Sequence, residues 1–449
     1  MATATPPAAA LERVIGLRAL TASAVNMTIG SGIFALPAVI AGILGPAAPI
    51  PYFICALAMA LVVLCFAEAG SRVHRTGGAY AYAEAAFGPY IGALSGALLY
   101  AGSGALAGAS VINFFATTLA VIHPFFGLPV VRALVMASTY GGLAFLNIRG
   151  ARPGVRTMEV FTLGKLIPLL SLAILGLFFM HPANFAMPAM PGGGVLGRAC
   201  VVLVFAFLGF ESALNPSGEV KDAHRTVPRG VLYALVLVTL IYLTIQMVAQ
   251  GVLGPQLAKE TAAPLAATAG VVMGPFGAKL ILLGSLLSTF GYLTGDALTT
   301  PRTLFALAEN GVLPSALAKV HPRYRTPWIA SITHATLSFL LAVSGTYLKL
   351  IVVASVAILI VYMVVAIGVL RMRAVGIRAD GEPFVVRGGW TVPVLAVIVV
   401  GYIAAQAQPA EWMGAGVTLV LATLLYLARP LWGGHERAPG AARAAAASG

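Results

Sequence analysis

Charge is scarce in this chain: only 9% of its 449 residues are Asp, Glu, Lys or Arg, against ~25% in a typical soluble domain. A soluble globule is therefore not expected. Cysteine is scarcer still. Cys55, Cys65 and Cys200 each lie in an apolar stretch, without CxxC spacing or partner histidines, so neither a disulfide scaffold nor a thiolate metal site is expected. No HExxH, HxxxH or Cys/His set is present to hold a metal. No Walker-type loop follows a strand either, since Gly102-Ser103-Gly104 sits inside an apolar span, which disfavours ATP-driven work by this chain alone. An enzyme would need acid, base and nucleophile groups clustered at one membrane face, yet only 14 acidic residues occur, mostly isolated. Met1 to Ala10 offers no basic segment before an apolar one, so no cleaved signal peptide is expected.

What the chain has in abundance is apolar sequence: 59% of residues are hydrophobic. Stretches near the ~20 residues needed to cross a bilayer recur from end to end. Twelve spans are predicted, at roughly 15–43, 48–73, 90–122, 130–148, 157–182, 196–218, 228–253, 276–304, 327–346, 348–371, 390–406 and 412–430. An even number puts both termini on one side. Most of the 27 Lys and Arg residues fall at one pole, in groups such as Arg72 and Arg75, Arg149, Arg152 and Arg156, and Arg371, Arg373, Arg378 and Arg387. The opposite pole receives Arg132, Arg198, Lys259, Lys279 and Lys349. By the positive-inside rule both termini are expected in the cytoplasm, and the +13 charge directs topology rather than binding nucleic acid.

Two spans are interrupted. The first carries Gly30-Ser31-Gly32 at mid-membrane depth, and the sixth carries Gly209, Glu211 and then Asn215-Pro216. Each is the first of a run of five spans, the pattern of an inverted repeat with discontinuous helices. Non-helical backbone in a membrane is tolerated only where it is buried in protein or lines a cavity. A half-helix starting after Gly32 presents unpaired N–H groups fit for a carboxylate. Carbonyls ending the preceding half-helix near Thr28 and Ile29, and those of Phe205 and Leu208 in the sixth span, suit an ammonium. One α-amino acid zwitterion satisfies both sets. The alternative for such glycines is close helix packing, the preferred account of Gly92, Gly96, Gly104 and Gly108 in the third span.

On these residues the chain resembles the amino acid–polyamine–organocation (APC) family. The likeness covers about residues 12–371 and rests on four motifs in order: Gly30-Ser31-Gly32-Ile33-Phe34, Arg75-Thr76-Gly77-Gly78-Ala79-Tyr80, Phe207-Leu208-Gly209-Phe210-Glu211-Ser212 and Glu309-Asn310-Gly311-Val312-Leu313-Pro314. The resemblance implies an all-α polytopic membrane protein with a five-plus-five inverted-repeat (LeuT-like) core, discontinuous helices 1 and 6, and two additional C-terminal helices. It implies repeats over 12–182 and 196–371 and extra helices over 390–430, between termini (1–11 and 433–449) expected to be disordered. It also implies alternating access, with Ser31, Gly32 and Ile33 on the substrate carboxylate, the carbonyls of Thr28, Phe205 and Leu208 on its amine, and Phe205 as an aromatic lid.

Three ionisable residues inside spans carry mechanistic expectations. A charged lysine at a helix centre costs about 2.5–3.5 kcal/mol on insertion scales, so Lys165 is expected to have a role. In proton-coupled relatives of this type a fifth-span lysine stands where sodium-driven members hold an ion, which implies proton coupling or ion replacement; the alternative is a lysine snorkelling to the membrane edge. Glu211 is either a proton acceptor or a cap on the second half-helix of its span. Asp296 departs from the family pattern and is open to three accounts: neutralising Lys165, attracting a cationic substrate side chain, or pairing with Arg302. Glu68, Arg72, His74 and Arg75 are expected to form ion pairs, as is Glu84, and His334 is expected to be a hydrogen-bonded packing residue. The expected function is secondary transport of α-amino acids across the cytoplasmic membrane, proton-coupled or exchanging, with no cofactor and no metal. The rival readings are a polyamine or cationic amino acid antiporter and a transporter-like sensor. The expected partners are substrate, protons and lipid; which amino acid, and what oligomer, stay open.

Overall fold

The computed structural model describes residues 16–73, 77–150, 155–187, 189–211, 220, 223–378, 383–386 and 388–432. Among them there is no β-sheet. The helices in chain order are α1 (Leu17–Thr28), α2 (Gly32–Leu44), α3 (Ile50–Arg72), α4 (Ala79–Phe87), α5 (Pro89–Leu99), α6 (Ala107–Ile122), α7 (Pro129–Ile148), α8 (Val155–Gly176), α9 (Gly193–Val204), α10 (Ala223–Leu253), α11 (Pro264–Glu309), α12 (Trp328–Ser344), α13 (Tyr347–Val375), α14 (Thr391–Ala405) and α15 (Pro409–Leu427). Eight helical runs are long and apolar enough to cross a membrane, and nine when α1 and α2, bent by 51° at their junction, are taken as one span. Gly193–Phe207, Trp328–Ser344 and Thr391–Ala405 are apolar but shorter. This is a multi-pass helical membrane protein.

The helix limits follow local chemistry. Proline occupies the first turn of α3, α5, α7 and α15, where its missing N–H costs nothing. The hydroxyl of Thr346 accepts from Lys349 N to start α13, and Gly376 at φ 75° ends it, the left-handed stop that glycine adopts without strain. Gln408 and Glu411 form a reciprocal capping box at the start of α15. Three local features depart from the expected pattern of spans. The short helix α4 precedes the third span, Tyr100–Leu106 is a π-helical turn joining α5 to α6, and α11 breaks at Gly274 (φ 66°, ψ −164°), so a separate helical segment precedes the expected eighth span. The terminal segments expected to be disordered, and the motif residues Arg75, Thr76, Ser212, Asn215 and Pro216, lie outside the described residues.

In packing, α1 lies against α10, α8 along α11, α12 against α7 and α13 against α14. Glycine sets several close approaches. A Cβ at Gly104 would stand 2.5 Å from Thr300, one at Gly92 2.7 Å from Glu84, and one at Gly96 3.0 Å from Leu307, so these third-span glycines are contact points between helices. Large apolar side chains such as Phe178, Phe276 and Val130 face outward, as a lipid-bathed surface requires.

Two ion-pair clusters fasten the periphery. Glu68 is fully buried and receives Arg72 at 2.9 Å, Arg373 at 2.5 Å and the Val386 N–H at 3.1 Å. It thereby joins the ends of α3 and α13 to the segment beyond them; His74 and Arg75 lie outside the described residues. Arg198 in α9 makes a two-pronged bond to Glu411 in α15, 2.6 Å on each arm.

Candidate functional site

The backbone breaks at the first expected interruption, and at the second α9 ends. At the first, Ile29 leaves helical geometry at ψ 89°, the Gly30 N–H turns back to the Thr28 carbonyl at 2.9 Å, and the Ser31 carbonyl accepts from Phe34 and Ala35 to begin α2. At the second, α9 tightens into a 3-10 turn over Phe205–Phe207, Leu208 extends to ψ 154° and Gly209 takes φ 112°. Residues 212–219, and with them the expected capping of a second half-helix by Glu211, lie outside the described residues.

The two interruptions touch. A Cβ at Gly32 would stand 2.8 Å from Ala206 Cα, and one at Gly209 would stand 2.5 Å from the Met27 carbonyl oxygen. Only hydrogen at both positions allows main chain to meet main chain. Tyr242 in α10 holds the junction from behind, its hydroxyl lying 3.0 Å from the Thr28 carbonyl and 3.1 Å from that of Ala206. One phenol proton therefore serves a carbonyl from each broken helix.

Lys165 does not snorkel. It is buried, and its Nζ donates to the carbonyls of Asn26 at 2.6 Å and Ile29 at 2.8 Å. These are carbonyls that the end of α1 leaves without intrahelical partners. Ser288 in α11 reaches the carbonyls of Ile29 and Gly30, both at 3.3 Å, and Thr162 bonds the Asn26 side chain at 3.1 Å. The frayed end of α1 is thus held by α8, α10 and α11 together.

Ser31, which caps α2, and Gly32 and Ile33 in its first turn are buried, where N–H groups have no intrahelical acceptor. The Ser31 hydroxyl lies 3.5 Å from Tyr347 OH. Phe205 meets the same tyrosine edge-on, with ring centres 6.1 Å apart, so both expected substrate-facing side chains converge on Tyr347. Phe205 and Leu208 are each 7% exposed. Thr28 and Ile29 are buried too, and each carbonyl already accepts two hydrogen bonds, that of Thr28 from Tyr242 and the Gly30 N–H and that of Ile29 from Lys165 and Ser288.

Glu211 is bound on three sides. Ser103 donates at 2.8 Å, the Gly209 N–H at 3.0 Å and Tyr362 at 3.2 Å. It faces a small cavity of about 50 Å³ lined also by Tyr100, Ser103, Gly104, Thr299, Thr300 and Thr303. Asp296 has partners that none of its three expected roles names: the carboxylate meets His334 Nε2 at 3.1 Å and Thr300 at 2.5 Å, while Lys165 donates to main-chain carbonyls and Arg302 donates to the Leu298 carbonyl. The expected hydrogen-bonded His334 is thus found, but with an unexpected carboxylate partner.

Sequence reasoning missed Tyr242, Tyr347, Ser288, Ser103 and Tyr362. A signal for the first existed: Tyr242, Gln246 and Gln250 recur every fourth residue of an otherwise apolar helix, and such a polar stripe turns inward. Among the described residues no group of three or more His, Cys, Asp or Glu side chains is placed to hold a metal ion.

Comparison with known proteins agrees with this picture. A family model described as amino acid permease matches residues 15–426. The serine/threonine exchanger SteT of Bacillus subtilis is 30% identical over 380 residues, 82% of this chain and 85% of that one. The methylthioribose transporter of the same organism is 27% identical over 441 residues, 93% of each chain, and its branched-chain amino acid permease BcaP is 26% identical over 396 residues, 81% of each.

Proposed function

Because the chain belongs to the amino acid permease family, whose members are transporters rather than enzymes, we propose that it is a secondary transporter of α-amino acids in the cytoplasmic membrane. It works by alternating access, coupled to protons or to exchange. The observation that carries this reading is the main-chain contact between the two interruptions at Gly32–Ala206 and Gly209–Met27. Opposed helix ends supply N–H groups on one side and carbonyls on the other within a few ångströms, the polarity of a zwitterion.

In this reading the carboxylate binds the N–H groups of Ser31, Gly32 and Ile33. The ammonium is received by the carbonyls of Thr28, Ile29, Phe205 and Leu208, displacing at Thr28 and Ile29 one of the two hydrogen bonds that each already accepts. Gly209 is the pivot and Phe205 the lid, seated on Tyr347. The three shorter apolar helices complete twelve spans, arranged as two inverted repeats of five plus α14 and α15, with both termini in the cytoplasm.

Lys165 couples the proton. As an ammonium it makes charge-assisted bonds to the carbonyls of Asn26 and Ile29, and these weaken when the proton leaves. Losing the proton therefore loosens α1, the element whose movement opens the site. Glu211, joined to the pivot through the Gly209 N–H, is the second proton-bearing candidate. A polyamine or cationic amino acid antiporter draws less support, because Asp296 is already engaged by His334 and Thr300.

Purified protein in liposomes, preloaded with each of the twenty amino acids in turn, tests the reading by counterflow with and without a pH gradient. Exchange of an α-amino acid that amines lacking a carboxylate do not inhibit is the expected result. Equal inhibition by such amines, or exchange of a neutral thiosugar with no amino acid exchange, would overturn it.

A further inference from the structure

A second buried polar centre lies away from the helix interruptions, where α5–α6, α7, α11 and α12 converge. Asp296 and His334 are 4% and 1% exposed and 3.1 Å apart. The other imidazole nitrogen, Nδ1, lies 3.4 Å from Ser338, and Thr300 donates to the carboxylate at 2.5 Å. Two tyrosines stand edge-on to the imidazole, Tyr100 with its ring centre at 6.0 Å and Tyr140 at 6.5 Å. Both hydroxyls are shielded from solvent without a hydrogen bond of good geometry. Gly108 makes room for the cluster: a Cβ there would stand 2.7 Å from Asp296 Oδ2 and 3.0 Å from Tyr140 OH.

A carboxylate beside a neutral imidazole carries a net negative charge. Adding one proton makes the pair neutral overall, whichever of the two groups holds it. In a membrane interior the uncompensated charge is the costly state. The ionisable groups facing it are Tyr100 from α5–α6, Tyr140 from α7 and Tyr292 on its own helix, with Glu211 across the cavity and Arg302 further along α11 donating to the Leu298 carbonyl. None of the three tyrosines supplies a compensating positive charge.

The pair also has a way out. Thr300, which donates to Asp296, and Tyr100, which flanks His334, both line the cavity that Glu211 and Ser103 line on its other side. Hydroxyl groups can donate and accept at once, so a water entering that cavity would link Thr300 to Glu211.

We propose that Asp296 and His334 form a proton-binding site, holding one exchangeable proton between them and exchanging it through the Thr300–Tyr100 cavity with water beside Glu211. On uptake the proton passes from cavity water to the carboxylate–imidazole pair; on release it returns to that water, and no bond to carbon changes. The site is separate from Lys165, and its existence does not depend on which solute the protein carries.

Infrared difference spectra of the purified full-length protein, recorded as bulk pH is stepped from acid to alkaline, read the carboxyl groups directly. The expected result is a titrating carboxyl band that disappears in Asp296→Asn and whose midpoint moves by about a pH unit or more, tenfold or more in proton affinity, in His334→Gln. A titrating spectrum that Asp296→Asn leaves intact, or a midpoint unmoved in His334→Gln, overturns the proposal. Should Asp296→Asn fail to fold, the His334→Gln midpoint decides alone. Counterflow on the same wild-type preparation separates the two readings: its absence counts against amino acid transport, while the infrared result still decides the pair.

Discussion

Gly209 presses against Met27 so closely that a single methyl group at position 209 would stand 2.5 Å from the Met27 carbonyl oxygen. The contact ties the two interrupted helices by backbone rather than by side chains. It leaves no tolerance for substitution, because Gly209 also holds φ 112°, where an L residue is strained by ~1–2 kcal/mol before any overlap is counted.

Gly209→Ala is therefore expected to lower exchange by more than about tenfold, equivalent to ~1.4 kcal/mol. Gly416→Ala, at a position with no neighbour within 4 Å, is expected to be neutral. Counterflow at matched protein content measures both, and near-normal exchange by Gly209→Ala would show that the junction relaxes.

Lys165→Ala removes the donor that holds the Asn26 and Ile29 carbonyls; Ile29 keeps Ser288, while the Asn26 carbonyl left without this partner costs about 1–3 kcal/mol. Exchange is expected to fall and its dependence on pH to flatten. Lys165→Arg restores a donor that keeps its proton at all working pH values, so it is expected to recover stability without recovering the pH response. Wild-type pH dependence in Lys165→Ala would remove this residue from the coupling mechanism.

Tyr242→Phe deletes one hydroxyl shared by carbonyls of both broken helices. The expected loss is about 1–3 kcal/mol of stability, read as a lowered thermal midpoint in detergent, together with slower exchange. An unchanged midpoint would mean that water replaces the phenol without cost.

Glu68→Gln leaves Arg72 and Arg373 facing a neutral amide in a buried site. Breaking such a cluster costs about 3–5 kcal/mol, so the variant is expected to be poorly stable while Glu68→Asp keeps part of the wild-type stability. Thermal denaturation of the two variants side by side checks this.

Much of the helical pattern was legible because lipid permits so few solutions: long apolar runs had to be helices, and glycines flanking Ser31 at mid-membrane depth had no use in an unbroken one. The charged residues were harder to read. Lys165 announced itself by its cost, but its partners are carbonyls 139 and 136 positions earlier, and a main-chain acceptor leaves no mark in a sequence. Asp296 shows the same limit more sharply. Its histidine partner comes from the next span, 38 residues on, and helix rotation alone decides that the two side chains face each other. Tyr347 and Tyr362 were invisible for a related reason: a tyrosine in an apolar run reads as packing until the group at its hydroxyl is known.

The two-pronged bond between Arg198 and Glu411 gives the last helix an unforeseen duty. A shortened protein ending near Val375 would strand a guanidinium at the start of α9 without its counter-charge. The trailing helical pair is thus an anchor for α9, and a shortened version of the protein has to include it.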